Sequence, residues 1–275
     1  MTPLLSARAA SFALRGRALV DGVSLDLEPG RFVVIAGPNG AGKTTLFRLL
    51  SGELRPTAGE ILCAGEPMTD VPPWRLACRR AVMTQTARLA FAFTVAEVVR
   101  LGVDGIGRLS AAERGRIVER ALADADLLPL ASRRYDALSG GEQRRTQFAR
   151  ALAQLAAGAT LADSQALLLD EPVANLDLSH QFALLDAARE AARRGTAVLA
   201  ILHDLNLAVR YADRILLLRD GRAVASGPPG EALDSRIASE TFGLDLALTQ
   251  GQAGPLIVPG RWLAGGARAA RTPDL

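Results

Sequence analysis

GPNGAGKTTL, residues 37–46, is the stretch on which the fold turns. VVIA (33–36) runs straight into it, and TTLFRLLSG (44–52) leaves it with helical periodicity and stops at a glycine. Strand, glycine loop, helix is the context in which G-x-x-x-x-G-K-[ST] cradles phosphate. Gly37, Gly42, Lys43 and Thr44 fill every fixed position, with Pro38, Asn39, Gly40 and Ala41 between them and Thr45 following. The glycines let backbone N–H groups converge on phosphate oxygens. The helix turns its positive end to the anion, and the Thr44 hydroxyl is offered to Mg²⁺. Lys43 is the only lysine among 32 Lys and Arg residues. Its compact ammonium can lie between β- and γ-phosphates as a point charge, whereas a guanidinium is larger and planar. An α/β nucleoside triphosphate site is expected, in a switch, a kinase or a motor.

The second half of the chain narrows that choice. ALLLD (166–170) reads as a buried parallel strand ending in an acid. Asp170 is placed to hold Mg²⁺ through water, and the next residue, Glu171, to polarise an attacking water, which a kinase would not want. LSGGEQRR (138–145) has Ser139 and Glu142 at capping-box spacing. A cap alone does not explain Gly140 and Gly141, which are poor helix formers in a first turn. Two glycines at a positive helix end make a second anion site. One nucleotide cannot easily touch both within one small domain, but two copies arranged head to tail would close both on the same ATP.

The bulk properties agree with a globular protein. The chain has 275 residues, 49% hydrophobic and 22% charged, with net charge +3. Its arginines fall in scattered pairs such as Arg133–Arg134 and Arg144–Arg145, read as solvated helix faces, and aromatics are 4%, so nucleic acid is not an expected partner. Cys63 and Cys78 form no metal-binding pattern and are read as thiols in a reducing compartment. Neither a signal peptide nor a membrane span is expected. Short strands fill residues 3–36, a hairpin is expected at 56–68, and an alanine- and arginine-rich helical lobe at about 86–137. AVLAILHD (197–204) is a second buried strand, and RILLLRDGRAVASG (214–227) a hairpin around Asp220-Gly221. One folded domain over 1–259 and a flexible tail over 260–275 follow.

Together GPNGAGKTT, Gln85, LSGGE, LLLDEP, the Asn175-Leu176-Asp177 turn and His203 resemble, in order and spacing, an ABC-transporter nucleotide-binding subunit, over roughly residues 5–258. The resemblance implies a P-loop NTPase core, with a mixed sheet flanked by helices and an N-terminal antiparallel β part, and the helical lobe inserted into it. It implies ATP and Mg²⁺ as cofactors, with Gln85 sensing Mg²⁺ and joining core to lobe. Ser139, Gly140 and Gly141 then clamp the γ-phosphate across a homodimer, Glu171 is the general base, Asp177 couples the two sites, and His203 contacts the γ-phosphate. Two positions depart from the pattern. Leu14, with Phe12 nearby, stands where an aromatic usually stacks on adenine, and Val173 replaces the threonine common after the DEP triplet.

WRLACRRAVMTQ (74–85), LAFAFTVAEVVRLG (89–102), LLDEPVANLDLSHQ (168–181) and LHDLNLAVRYADRILLLRDGRAVASG (202–227) are similar to the hemin-import branch of that family. That branch implies two transmembrane permease subunits, an external heme-binding protein that acts indirectly, and a peripheral position on the cytoplasmic face of the inner membrane. Siderophore and cobalamin importers remain alternatives, because an ATPase subunit never touches the cargo. A soluble ABC ATPase is disfavoured by the single cassette and by the lack of a coiled coil or zinc module between glycine loop and signature. A non-hydrolysing nucleotide switch is disfavoured by Glu171, and an exporter by the segment 74–102.

Overall fold

The computed structural model describes residues 2–85, 91–107, 109–251 and 254–262. Its centre is a six-stranded sheet in the order β10-β9-β3-β8-β7-β6. The strands are β3 (Phe32–Ala36), β6 (Arg80–Met83), β7 (Ala166–Asp170), β8 (Ala197–Ile201), β9 (Arg214–Arg219) and β10 (Arg222–Gly227). Five of them run parallel, and β10 closes the edge antiparallel to β9. Strands β3, β7 and β8 are buried at every residue, which is why they read as unbroken apolar runs and not as alternating ones.

Period-two alternation still sorts their side chains. Phe32, Val34, Leu167, Leu169, Val198 and Ala200 face one layer, and Val33, Ile35, Leu168, Leu199 and Ile201 face the other. The first layer is closed by α5 (Gly140–Gly158), α6 (Leu178–Arg193) and α7 (Leu205–Tyr211), through residues such as Phe148, Leu184, Leu185 and Leu207. The second is closed by α1 (Lys43–Leu50), which contributes Leu46, Phe47, Leu49 and Leu50, and by a four-stranded antiparallel sheet in the order β2-β1-β4-β5. Those strands are β1 (Leu5–Leu14), β2 (Arg17–Leu27), β4 (Ala58–Cys63) and β5 (Glu66–Pro67). The start of β3 is held where Asp213 accepts from the Phe32 N–H at 2.8 Å and takes both Arg189 Nη atoms at 2.6 and 2.8 Å. Burial raises the Asp213 pKa, but these bonds outweigh it and hold the carboxyl below its ordinary value.

A third apolar cluster forms the helical lobe. It joins α3 (Val95–Asp104) and α4 (Ala111–Asp124) to one face of α5, with Val98, Val99, Val103, Leu122, Leu127, Ala149 and Ala153 at its centre. Capping boxes start both lobe helices, Thr94 with Glu97 and Ser110 with Glu113. The lobe's apolar core therefore continues past residue 137 along α5, and through Cys78 it reaches α2 (Pro73–Arg79). Residues 86–90 of the expected lobe lie outside the described residues.

The C-terminal part differs from the sequence expectation. After α8 (Pro229–Ala232) and α9 (Ser235–Phe242), a hairpin of β11 (Leu244–Gly251) and β12 (Gly254–Trp262) packs Leu246 and Ile257 into the first core layer. Leu244 pairs with Trp262, so ordered chain runs past the boundary expected at 259. Of the expected tail, residues 263–275 lie outside the described residues. Among the described residues no helix is long and apolar enough to cross a membrane.

Candidate functional site

The glycine loop connects β3 to α1 at the carboxyl end of the parallel sheet, where ligands of open α/β sheets bind. Gly37 has φ +146° and Gly42 φ +95°. A Cβ at Gly37 would overlap the carbonyl oxygen of Leu218, and one at Gly42 that of Leu19. The loop is thus wedged between β9 and β2, and only glycine fits at either end. Lys43 opens α1 and is 6% exposed, and its Nζ donates to the carbonyls of Gly37 and Pro38, each at 2.9 Å. Burial lowers its pKa, opposed by the nearby charges of Glu171 and Asp170. This enclosed position, with two carbonyls close on the ammonium, suits a compact cation, in keeping with the lone lysine here. Asn39 and Gly40 form the exposed crown of the loop, while Thr44 and Thr45 are half-buried in the first turn of α1.

Asp170 ends β7 and is 3% exposed. Burial and the adjacent Glu171 charge raise its pKa to about 6, against Arg48, Arg144 and His203. Its Oδ1 is buried and has no hydrogen-bond partner. A buried, unpartnered carboxylate oxygen beside the phosphate loop has the chemistry of a hard-cation ligand. Among the described residues no cluster of three or more His, Cys, Asp or Glu could hold a metal by itself. Mg²⁺ is held through one or two carboxylates and completes its shell with other oxygens, phosphates and water. The Asp170 carboxylate fits such an ion.

Glu171 leaves the strand with φ +49°, a left-handed conformation that costs a non-glycine residue of the order of 1–3 kcal/mol. The bend presents its carboxylate to two partners. Gln85 Nε2 donates to Oε2 at 2.9 Å, and His203 Nε2 lies 2.6 Å from Oε1. With Glu171 ionised, His203 must carry its proton on Nε2. Gln85 follows β6 and His203 follows β8, so three loops at the carboxyl ends of the sheet converge on one carboxylate.

The signature glycines lie on another surface of the chain. Ser139 caps α5, with its N–H bonded to Glu142 Oε2 at 2.7 Å and its Oγ accepting from the Glu142 N–H at 3.3 Å. Donation from the Ser139 N–H, and then from its hydroxyl, holds the Glu142 carboxyl below its ordinary pKa. Ser139, Gly140 and Gly141 open onto a cavity of 540 Å³ together with Arg145, Asn175 and Asp177. A Cβ on Gly141 would press on the carbonyl oxygen of Asn175 at 3.3 Å, so the signature turn and the Asn175-Leu176-Asp177 turn are packed as one surface. Asp177 caps α6, and its Oδ1 accepts from the His180 N–H, His180 Nδ1 and Ser179 Oγ at 2.9, 2.7 and 3.0 Å. These bonds lower its pKa, the His180 backbone bond first.

One feature departs from the sequence reading. The pair Arg144–Arg145 is not a solvated helix face: Arg145 donates to the carbonyls of Ala125 and Asp126, and Arg144 to that of Gln85. Only the spacing of Arg144 from the glycine pair, about one helical turn, hinted at this. Leu14, 56% exposed, sits at the tip of the β1–β2 turn, and the contact of Leu19 with Gly42 sets that hairpin against the phosphate loop. Phe12, two residues back on β1, is half-buried against the core beneath.

Residues 20–174 match the model of the ABC transporter family. The chain is 47% identical over 256 residues, 93% of this chain and 94% of the relative, to the hemin import ATP-binding protein HmuV of Rhodopseudomonas palustris. It is 44% identical to the protein of the same name from Bradyrhizobium diazoefficiens, over 94% of this chain and 96% of that one. Among solved structures it resembles the dimeric post-hydrolysis state of an ATP-binding cassette bound to ADP and Pi, with TM-score 0.71, 25% identity and coverage of 82% of this chain and 98% of that chain.

Proposed function

The chain belongs to the ABC transporter family and is an ATPase subunit, and from that premise we propose that it powers import of hemin through a membrane permease. The observation that carries the catalytic part is the Glu171 carboxylate gripped by Gln85 and His203 beside the glycine loop. The cargo rests on likeness to relatives named for hemin import, which span nearly the whole chain.

In this reading two copies meet head to tail. Gly37 to Thr45 of one copy and Ser139-Gly140-Gly141 of the other enclose one ATP, because each surface by itself offers N–H groups to only one side of a phosphate chain. Lys43 exchanges its carbonyl partners for β- and γ-phosphate oxygens. Asp170, Thr44 and Gln85 would hold Mg²⁺, which when bound would neutralise developing phosphate charge. Glu171 takes the proton of the attacking water, and Gln85 and His203 keep its two oxygens in line. His203 also reaches the γ-phosphate, and Asp177 lies where the two copies meet. Two permease subunits receive the resulting motion at the lobe, on the cytoplasmic face of the membrane, and a heme-binding protein outside delivers the cargo.

Glu171→Gln tests the chemistry. It should lower kcat by about 10²–10⁴, the contribution of a positioned base, and trap an ATP-dependent dimer visible by size-exclusion chromatography. Turnover within threefold of wild type would remove Glu171 from that role. Copurification with its permease tests the cargo: heme, and not a ferric siderophore or cobalamin, should stimulate ATP hydrolysis in the assembly.

A further inference from the structure

The helix that carries the signature glycines is tied to the candidate base of its own chain. Arg144 is in the second turn of α5, and its Nη1 donates to the carbonyl oxygen of Gln85 at 3.0 Å. The Gln85 side chain in turn donates to Glu171 at 2.9 Å. Arg144, Gln85 and Asn175 share a small polar cavity of 190 Å³ between α5 and the loop after β6. The neighbouring Arg145 behaves differently. It donates to Ala125 and Asp126, at the end of α4. The guanidinium of Arg144 is partly buried, which lowers its pKa, while Glu171 and Asp170 pull in the opposite direction.

We propose that Arg144 is a positioning residue: by holding the Gln85 backbone it keeps the Gln85 amide on the Glu171 carboxylate, and so links the helix facing one nucleotide to the base that serves the other. This rests on the functional reading above. A single hydrogen bond to a main-chain carbonyl suffices, because the loop after β6 has to place one amide to within a fraction of an ångström of a carboxylate. Bonds made by an ionised donor are the stronger ones. Any shift of α5 on closure reaches Glu171 through two bonds.

The test is steady-state ATP hydrolysis by the full chain, with ATP varied. Arg144→Met keeps the aliphatic stem and removes every N–H donor. It should lower kcat about tenfold with KM for ATP within twofold, since the glycine loop is untouched. Arg144→Lys, which retains a charged donor, should recover kcat to within threefold. Arg144→Gln, too short to reach the carbonyl, repeats the measurement should the Met variant melt below the assay temperature. In a Gln85→Ala background Arg144→Met should have no further effect. A normal kcat in Arg144→Met, no rescue by Lys, or losses that multiply in the double variant would each overturn the proposal. Glu171→Gln, assayed in parallel, separates the two readings: normal turnover there sinks the catalytic assignment, whereas the Arg144–Gln85 cycle still reports whether those residues act as a unit.

Discussion

Relative to wild type, Asp170→Asn should gain stability as pH rises, while abolishing hydrolysis. The Asp170 carboxyl is almost fully buried, and its pKa is pushed up to about 6 from an ordinary 3.8. A folded-state pKa above the unfolded one means that the native state prefers the proton. That preference contributes stability below pH 3.8 and loses it as pH climbs through 6. The shift, about two units at 1.36 kcal/mol each, corresponds to about 3 kcal/mol. The amide carries no charge, so wild type should lose about 3 kcal/mol relative to the variant between pH 4 and pH 7, whatever constant packing difference separates the two. In a chain of this size that is a relative shift in Tm of about 6–12 °C. The assay is urea unfolding of both proteins across this pH range, with chelator and without nucleotide. Adding Mg²⁺ and a non-hydrolysable ATP analogue should move the difference at pH 7 back in favour of wild type, because a bound cation favours the ionised carboxylate that only wild type has. A stability difference that stays flat from pH 4 to pH 7 would refute the reasoning.

Gly42→Ala forces a left-handed alanine whose Cβ overlaps the Leu19 carbonyl oxygen. It should cost about 3 kcal/mol and weaken ATP binding at least tenfold, whereas Gly40→Ala, at φ +80° in open space, should cost only about 1–2 kcal/mol; thermal melts and nucleotide titration compare them. Arg189→Met strips Asp213 of its bidentate partner and should destabilise by about 2 kcal/mol above pH 4. That difference should shrink at lower pH, because a lowered carboxyl pKa gives stability that is lost as pH falls through it; acid unfolding curves read it. Leu14→Tyr offers the nucleobase a stacking face at the exposed β1–β2 tip. It should lower KM for ATP about fivefold with kcat within twofold, given that stacking on an aromatic contributes about 1–3 kcal/mol.

Much of the molecule was legible in order along the chain. Where function depends on local backbone, as at Gly37 to Thr44 or in the Ser139–Glu142 cap, the neighbouring residues alone dictate the geometry, and the structure has the loop and the cap in place. Strands β3, β7 and β8 were readable for the same reason: burial on both faces leaves an unbroken apolar run. The β11–β12 hairpin was not, because its strands are half-exposed and its partner is α7, far back in the sequence: Asn206 Oδ1 accepts from the Ile257 N–H at 2.7 Å. The resemblance to a family named Gln85, Glu171 and His203 separately, but nothing in their spacing says that they touch.

By itself the sequence determined the parallel core, the phosphate loop and the capped glycine turn that opens α5. All of these follow from local backbone preference and side-chain periodicity, interactions that act over a few residues. Only the tertiary structure decided that Gln85 and His203 meet on the two oxygens of Glu171 and that Arg144 reaches across to Gln85. Those contacts join residues 32 to 86 positions apart, brought together because parallel strands deliver their carboxyl ends to one edge of the sheet. The pairing of distant loops follows from sheet order, and no local pattern encodes it.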